Sequence, residues 1–534
     1  MEFSNLVNMA NAAVKSNKIQ EAIKLFENAL KLNPTSFEVC SKLGLLLFQV
    51  GDLDNSINYF KKTLLLNPKS PLGYSNLGLI YTKLNNQDLA LENFLKAYEI
   101  DPKNFIASYN LANHYFSNND DKNAEKFYKL SIELNPQHFY PYNNLFQLYD
   151  RSNNLEKLEE VFSDILKLFK RNPQVQFLEG NLHFKKKNYK ETIEIFKSLD
   201  FDKRDYQKSV LITNILAKCY DHIGFYPEAY KYYSLSNKIT ENNFKNKFNK
   251  NEFNENVSKR LNSIANVEKK LFNNNEIYDQ RSDPVFLIGF PRSGTTLLDT
   301  ILRTNKSIEV IEEELLVEDL ISQLKNHTNN DLLNLNSLNK NTIKQLRDLY
   351  FKKREALLGF KNNSIIVDKL PLNIIYTLEL NKIFPKAKFI LALRNPYDAV
   401  LSCFMQPFLP NNAMSNFYNL KDASDFYDLV MSLWEKYEKI LNLNLNLHKI
   451  KYEDVVNDFD VSIKKLLNFL NVDWTNDMRN FYLTASNRGI INTPSYNQVN
   501  TPLYKESISR WKNYSDKFSD NDLKLEKWLK KFKY

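Results

Sequence analysis

The pattern of apolar and polar positions changes character twice along this chain of 534 residues. Residues 1–239 repeat a helix–turn–helix pattern, and residues 240–282 are rich in Asn, Lys and Glu with helical spacing. From residue 283 onward, short apolar runs typical of buried strands are followed by loops and by runs with helical periodicity. The pattern predicts a helical domain over 1–239, a connecting helix and linker over 240–282, and an α/β domain over 283–534.

A 34-residue period organises the helical part. The prolines of Asn-Pro or Asp-Pro dipeptides mark it: Pro34, Pro68, Pro102 and Pro136. Small residues recur with the same spacing in both helices of each unit: Ala10, Gly44, Gly78 and Ala112 in the first, and Ala22, Ser56, Ala90 and Ala124 in the second. This period is typical of tetratricopeptide repeats (TPR). Less regular copies continue to about Ile239, so the sequence predicts six or seven units stacked in a superhelix.

The concave groove of such a superhelix usually holds a peptide. The repeats therefore predict a docking surface for a polypeptide acceptor or a partner protein. The alternative is a scaffold that only stabilises the rest of the chain or joins two chains in a homodimer.

A loop in the second half has the outline of an anion-binding site. In "FLIGFPRSGTTLLDTIL", Gly289 and Gly294 lie between a strand-like run and a helix-like run. Free backbone N–H groups and the helix dipole converge at such a helix start. The ATPase loop GxxxxGK[ST] has a Lys where this chain has Thr295, so a nucleoside triphosphate is a poor fit and an NTPase or kinase is disfavoured.

A second anion site is predicted further along. The segments "IIVDKLP" and "KFILALRNPYDAVLSC" each read as a strand followed by a loop, which implies a parallel sheet with ligands at the carboxyl ends of its strands. Arg394 and Ser402 follow the second of these strands, and both side chains can bind a phosphate. Two anion sites indicate a nucleotide phosphorylated at both ends of its ribose.

Five segments together point to a family: "FPRSGTT", "VDKLP", "LRNPYDAVLSC", "KYEDVV" and "TPSYNQVNTPLYKESISRW". In order and spacing they resemble the sulfotransferases that use 3′-phosphoadenosine 5′-phosphosulfate (PAPS). The resemblance is greatest to tyrosylprotein sulfotransferases and to bacterial sulfotransferases with N-terminal TPR repeats. It implies a TPR superhelix followed by an α/β P-loop-like sulfotransferase domain with a parallel sheet.

The resemblance also implies which residues bind PAPS. The loop residues around the 5′-phosphosulfate would be Arg292, Ser293, Gly294, Thr295 and Thr296, with Arg292 on the sulfonate. Arg394 and Ser402 would hold the 3′-phosphate. The residues that close over the nucleotide would be Tyr452, Arg510 and the stretch 495–504, which includes Ser495 and Gln498.

The same resemblance assigns the catalytic roles. Glu313 would be the general base, although Glu312 and Glu314 stay open because the Gly that often precedes the base in the family is replaced here. Without the resemblance, the three glutamates would be the solvated face of a helix. Lys369 and Ser495, with Arg292, would neutralise the charge that builds on the sulfonate and the bridge oxygen. The alternative for Lys369 is a structural ion pair with its neighbour Asp368.

Composition and charge limit the ligands, the cross-links and the cellular compartment that can be expected. The formal net charge of +9 suits an anionic ligand but is too small for a nucleic-acid binder. The three cysteines are far apart and the histidines are scattered, so neither disulfides nor a metal site are expected. No signal peptide or apolar membrane span is recognisable, so we expect a soluble, cytoplasmic protein.

The sequence therefore predicts an enzyme that transfers the sulfuryl group of PAPS to an acceptor hydroxyl without a metal and releases 3′,5′-adenosine diphosphate. A protein tyrosine is the favoured acceptor, although Gln406 stands where tyrosylprotein enzymes can carry a basic residue. A carbohydrate or a small phenol remains an alternative acceptor, and a TPR scaffold with an inactive nucleotide-binding domain is an alternative function. The mostly helical segment Leu315–Asn363 is expected to shape the acceptor side.

Overall fold

The computed structural model describes residues 2–200, 202, 204–264, 279–328, 335, 338–359, 364–441, 446–483, 502–503, 505–518 and 522–534. The chain divides into two compact units, Met1–Asn188 and Tyr189–Tyr534. This division lies before residue 239, where the sequence places the end of the repeats. The domain limits at 239 and 282 stay a prediction.

The first unit is a series of helices joined by short turns. They are α1 (Glu2–Lys15), α2 (Ile19–Leu32), α3 (Phe37–Val50), α4 (Leu53–Leu66), α5 (Pro71–Lys83), α6 (Gln87–Ile100), α7 (Phe105–Ser117), α8 (Asp121–Leu134), α9 (Phe139–Arg151), α10 (Leu155–Phe169) and α11 (Pro173–Lys185). The predicted TPR superhelix is confirmed.

The small residues of the period allow the two helices of each unit to pack closely. The alanines among them are fully buried. A Cβ atom on Gly44 would lie 2.8 Å from the ring of Phe60, and one on Gly78 would lie 2.5 Å from the ring of Phe94. The packing of helix on helix therefore explains why the small positions recur.

The turn inside each unit has the same backbone conformation. One residue per turn adopts positive φ, at intervals of 34: Asn17, Gly51, Asn85, Asn119, Asn153 and Lys187. Gly and Asn tolerate this left-handed conformation, whereas other side chains lose roughly 1–2 kcal/mol there. The last turn, with φ of 62° at Lys187, is therefore the strained copy.

We expect Lys187→Gly to be more stable than Lys187→Ala by about 1 kcal/mol, because only glycine removes the clash of Cβ with the backbone at positive φ. Thermal unfolding of the two variants measures the difference. The same two substitutions at Lys167, an exposed residue of α10, should rank in the opposite order because glycine weakens a helix. Equal stabilities at position 187 would contradict the strain.

The second unit begins with four helices: α12 (Tyr189–Ser198), α13 (Tyr206–His222), α14 (Tyr226–Phe244) and α15 (Lys250–Ser263). The remaining elements are β1 (Val285–Gly289), α16 (Thr295–Leu302), β2 (Ile308–Glu312), α17 (Leu316–Thr328), α18 (Lys340–Leu358), β3 (Ile365–Lys369), α19 (Thr377–Ile383), β4 (Lys388–Leu393), α20 (Pro396–Phe404), α21 (Leu420–Leu441), β5 (Leu447–Lys451), α22 (Tyr452–Asn457), α23 (Phe459–Leu470) and α24 (Asp522–Phe532). Short 3₁₀ helices lie at Pro371–Tyr376, Met414–Phe417, Asn476–Asn480 and Arg510–Lys517.

Five parallel strands form the sheet, in the order β2-β3-β1-β4-β5. Successive side chains of a strand point to opposite faces. In β1, Phe286 and Ile288 enter the core shared with α17 to α21, whereas Val285 and Leu287 enter the core shared with α16 and α23. The predicted parallel α/β fold is confirmed, with helices on both faces of the sheet.

The helical pair α13–α14 packs against the α/β part of the second unit. Asn237 on α14 donates its amide to the carbonyl of Phe404 over 2.9 Å, and Asn214 on α13 donates to the carbonyl of Met405 over 3.4 Å. The small residues Ala217 and Ala229 are buried in the same core as the sheet. This pair, which the sequence assigns to the repeats, is thus structurally part of the second unit.

Candidate functional site

A cleft of about 920 Å³ lies at the carboxyl ends of the five strands. Each strand contributes a residue that follows it directly or closely: Arg292 after β1, Glu313 after β2, Leu370 after β3, Arg394 after β4 and Tyr452 after β5. In open α/β sheets this edge is where ligands bind. Arg292, Glu313, Arg394 and Tyr452, which the sequence singles out, lie at this edge. Their roles stay a prediction.

The loop between β1 and α16 forms one wall. Gly294 has φ of 90°, and a Cβ atom on it would lie 2.8 Å from the ring of Tyr452. Glycine is therefore required there for both its backbone conformation and its close approach to the ring. Arg292 also has positive φ, and Thr295 and Thr296, at the start of α16, line the cleft. Backbone N–H groups at the start of a helix lack intrahelical acceptors and suit an anion.

Two arginines and a serine meet beside this loop. Arg292 donates its Nε to the hydroxyl of Ser402 over 3.1 Å. Arg394 donates Nη1 to the carbonyl of Arg292 over 3.1 Å and Nη2 to the carbonyl of Ser507 over 2.8 Å. The Nε atom of Arg394 is buried and has no acceptor within the part of the chain that the structure describes. A buried guanidinium with an unused donor is suited to bind a negatively charged ligand.

The segment around Arg510 closes the same side of the cleft. The hydroxyls of Tyr452 and Ser507 lie 3.0 Å apart, within hydrogen-bonding distance. Asp398 on α20 accepts hydrogen bonds from the backbone N–H groups of Ser509 over 2.7 Å and of Trp511 over 2.8 Å. Burial raises the pKa of Asp398 above its ordinary range. These bonds fix the backbone on both sides of Arg510, which lines the cleft.

Sequence reasoning missed Ser507 and Asp398. Ser507 lies within the family-like segment "TPSYNQVNTPLYKESISRW", and Asp398 within "LRNPYDAVLSC". The first segment is marked only by its resemblance to the family, whereas the second is also marked by its strand-and-loop pattern. A residue that fixes the backbone leaves no pattern in the sequence, so position within a motif was the signal available.

Glu313 and Lys369 form an ion pair at the ends of adjacent strands. The Lys369 Nζ atom lies 2.9 Å from Glu313 Oε1 and 3.3 Å from Glu312 Oε1. The backbone N–H of Glu313 also donates to the carbonyl of Lys369 over 2.9 Å. The Lys369 side chain is fully buried, whereas a third of the Glu313 side chain is exposed at the cleft. Lysine therefore orients a carboxylate that a ligand can reach.

The glutamate triplet does not form a helical face. Glu312 ends strand β2, Glu313 has φ of 53°, and Glu314 is exposed ahead of α17. The helical alternative is therefore wrong, because this stretch pairs with β3 as its neighbour in the sheet.

Asp368 is not the partner of Lys369, so that alternative is also wrong. Neighbouring residues of a strand point to opposite faces, and Asp368 accepts a hydrogen bond from the hydroxyl of Tyr350 over 2.9 Å in the core. Burial raises the pKa of Asp368 to about 7.

The structure thus brings most of the predicted site residues together around the cleft. The lining includes Arg292, Gly294, Thr295, Thr296, Glu313, Arg394, Ser402, Tyr452 and Arg510. Ser293 and Lys369 are buried behind this surface. Ser495, Gln498 and Tyr504 lie outside the described residues.

The remaining lining is mostly apolar. It includes Phe248, Phe253, Leu315, Leu372, Tyr376, Phe408 and Met414. Within the described residues there is no group of three or more metal-ligating side chains, and no helix is long and apolar enough to cross a bilayer.

Comparison with known proteins assigns both parts of the chain. A family described as "Sulfotransferase family" matches residues 284–476, which include all five strands and the residues that follow each strand in the cleft. The C-terminal region is a sulfotransferase-family domain. Tetratricopeptide-repeat families match residues 10–51, 37–70, 71–104 and 89–139. The predicted combination of TPR repeats with a sulfotransferase domain is confirmed.

Two relatives are each similar to a little under half of the chain. An uncharacterized protein of Aquifex aeolicus is 25% identical over 239 residues, which are 43% of this chain and 30% of the relative. Protein-tyrosine sulfotransferase 1 of Danio rerio is 23% identical over 248 residues, which are 44% of this chain and 67% of that enzyme. The chain therefore spans less than a third of the length of the first relative.

Solved structures similar to the chain include TPR proteins. One from Parabacteroides merdae is 14% identical, covers 45% of this chain and 93% of its own, and has a TM-score of 0.36. Another from Thermus thermophilus is 18% identical, covers 34% of this chain and 98% of its own, and has a TM-score of 0.30. At TM-scores this low, neither likeness bears on function.

Proposed function

We propose that the sulfotransferase domain transfers the sulfuryl group of PAPS to the hydroxyl of a protein tyrosine. The observation that carries the donor assignment is the buried Nε atom of Arg394, which has no acceptor among the described residues. It lies in a domain of the sulfotransferase family, next to the Arg292–Ser402 hydrogen bond.

The residues present fit a nucleotide with two separate anionic groups. The start of α16 with Arg292 would hold the 5′-phosphosulfate, and Arg394 with Ser402 would hold the 3′-phosphate. Tyr452 and Arg510 line the same side and would cover the nucleotide. When bound, PAPS supplies an activated sulfuryl group.

On the acceptor side, Glu313 would take the proton of the attacking hydroxyl. Lys369 holds this carboxylate by an ion pair of 2.9 Å, so that the base is oriented before the acceptor arrives. Arg292 would stabilise negative charge on the sulfonate. Ser495, which lies outside the described residues, is proposed to act with it on the bridge oxygen.

Two observations support tyrosine as the acceptor. The cleft has a largely apolar wall that includes Phe248, Phe408 and Met414, and such a wall suits an aromatic ring better than a sugar, whose hydroxyls need polar partners. The second is the match to a protein-tyrosine sulfotransferase of Danio rerio. TPR repeats suggest an interaction with another protein, and we propose that their groove docks the polypeptide acceptor.

The donor assignment predicts that 3′,5′-adenosine diphosphate stabilises the protein more than AMP does, without added metal. At about 100 times its dissociation constant the diphosphate should add roughly 2.7 kcal/mol to the free energy of unfolding. Arg394→Met should remove most of the preference for the diphosphate, because it deletes the proposed 3′-phosphate contact. Thermal shifts with the two nucleotides measure this.

Arg479→Met is the matched control, since Arg479 is an exposed arginine paired with Asp460. It should keep the preference of the unmodified protein. Equal thermal shifts with AMP and the diphosphate in the unmodified protein would refute the donor assignment.

The acceptor is tested separately by incubating the protein with labelled PAPS and a panel of tyrosine peptides, sugars and small phenols. Label on the tyrosine peptides is the expected result. Label on sugars alone would overturn the acceptor while leaving the donor assignment intact.

A further inference from the structure

Helix α13 presents one face to the nucleotide side of the sulfotransferase domain. Asn214, Lys218 and Asp221 are spaced by four and three residues and therefore lie on the same side of the helix. At one end of this row, Asn214 donates to the carbonyl of Met405, just after the helix that carries Ser402. Asp221, at the other end, accepts hydrogen bonds from Arg510 and Tyr514. Lys218 lies between these two anchored residues.

The charge of Lys218 has cationic neighbours. Burial, together with the positive charges of Arg292 and Arg510, lowers the pKa of Lys218 to about 8. Arg510 is paired with Asp221, but Lys218 forms no ion pair or hydrogen bond with any of the residues that the structure describes. The carboxylate of Asp398, which lies near Arg510, is already engaged by two backbone N–H groups.

Three cations in one partly desolvated region repel one another. A protein of marginal stability gains nothing from this repulsion in the free state. An anion in the adjoining cleft would compensate it, since Arg292 and Arg510 both line that cleft.

We propose that Lys218 is an anion-binding residue of the nucleotide site, contributed by a helix that resembles the TPR repeats rather than by the α/β part of the domain. It acts with Arg292 and Arg510 to hold positive charge at this end of the cleft for a ligand with phosphate or phosphosulfate groups. The inference rests on the proposed use of PAPS.

A purely structural role of Lys218 predicts a different result from a ligand-binding role. If the stem of Lys218 only fills space between α13 and its neighbours, a neutral side chain of similar length will bind nucleotide equally well. If its charge serves the ligand, the neutral side chain relieves repulsion in the free protein and weakens binding. Stability and affinity then change in opposite directions.

The test measures binding of 3′,5′-adenosine diphosphate by calorimetry and the thermal stability of the ligand-free full chain. Lys218→Met should weaken binding about tenfold while leaving the ligand-free melting temperature equal or higher. Lys218→Arg should stay within about threefold of the unmodified protein. Lys238→Met, at an exposed lysine of the neighbouring helix α14, should bind as the unmodified protein does.

The pH dependence gives an independent readout. Because an anion favours the protonated lysine, binding to the unmodified protein should weaken as the pH rises through about 8, and the Lys218→Met variant should lack this loss. The charged or titratable groups that act on the lysine are Arg292, Arg510 and Cys219. Those around the two arginines are Asp221, Asp398, Cys403, Tyr233 and Tyr514. Burial raises the pKa of Cys219 to about 12 and that of Cys403 further, so neither thiol titrates near pH 8.

The outcomes separate this proposal from the one on which it rests. Failure of the unmodified protein to bind the diphosphate would overturn both. Normal binding by the unmodified protein and equal binding by Lys218→Met would overturn the role of Lys218 alone. A lower ligand-free melting temperature, with equal losses of nucleotide affinity in the Met and Arg variants, would also overturn it. That result would show that the lysine is structural.

Discussion

Glu313→Gln is expected to lower kcat about a hundredfold or more while changing the dissociation constant of 3′,5′-adenosine diphosphate by less than about twofold. The amide keeps the shape of the side chain but cannot take the proton of the acceptor hydroxyl. Nucleotide binding uses the other wall of the cleft, around Arg394 and Ser402. Turnover with labelled PAPS and calorimetric binding, measured on the same preparation, give the two quantities.

The neighbouring glutamates are built-in controls. Glu314 is exposed, so Glu314→Gln should leave turnover unchanged. Glu312 lies 3.3 Å from the ammonium of Lys369, so Glu312→Gln should have a smaller effect through that lysine. If Glu312→Gln abolishes turnover and Glu313→Gln does not, the base is Glu312.

Removal of residues 1–239 is expected to abolish nucleotide binding, whereas removal of residues 1–188 should preserve it. A chain that begins at Thr240 lacks Asp221, the partner of Arg510, and Asn237, which donates to the carbonyl of Phe404. It also exposes the core surface that Ala217 and Ala229 cover. A chain that begins at Tyr189 keeps all of these contacts, because it is the whole second unit.

Thermal shifts with 3′,5′-adenosine diphosphate distinguish the two truncated chains. A folded, nucleotide-binding chain from Thr240 would contradict the structural role of α13 and α14. The chain from Tyr189 also tests the docking proposal: it should sulfate small phenols as the full chain does and lose activity towards protein acceptors. If the chain from Tyr189 and the full chain are equally active towards every acceptor, the repeats are only a scaffold.

The elements that sequence predicts well are those with a repeated or local signal. The prolines at 34, 68, 102 and 136 fix the phase of the repeats, and close helix packing requires the small residues between them. The loop around Gly294 was recognisable because a phosphate-binding turn needs glycine at positive φ. These signals come from the backbone, which constrains residue type directly.

Contacts between distant segments leave weaker signals. Ala217 and Ala229 indicate that α13 and α14 pack closely on each other, but this requirement is the same whether the pair belongs to the repeats or to the catalytic domain. Asn214 and Asn237 carry the actual attachment, and polar residues on a helix look solvated in a sequence. Strand β2 is not predicted by the sequence for a different reason. Its five residues, "IEVIE", are too few to distinguish a strand from a helix by periodicity.

The residues with positive φ at intervals of 34, from Asn17 to Lys187, have a consequence for how such a gene can change. Duplication or loss of one whole interval leaves every remaining turn in phase, because each unit presents the next with the same junction. The array can therefore lengthen or shorten by recombination within the reading frame. Helices α13 and α14 cannot be duplicated or lost in this way, because Asp221 pairs with Arg510 and Asn237 donates to the carbonyl of Phe404 in the sulfotransferase domain. Among related genes, the number of repeats should vary upstream of this pair, while the pair itself is inherited with the catalytic region.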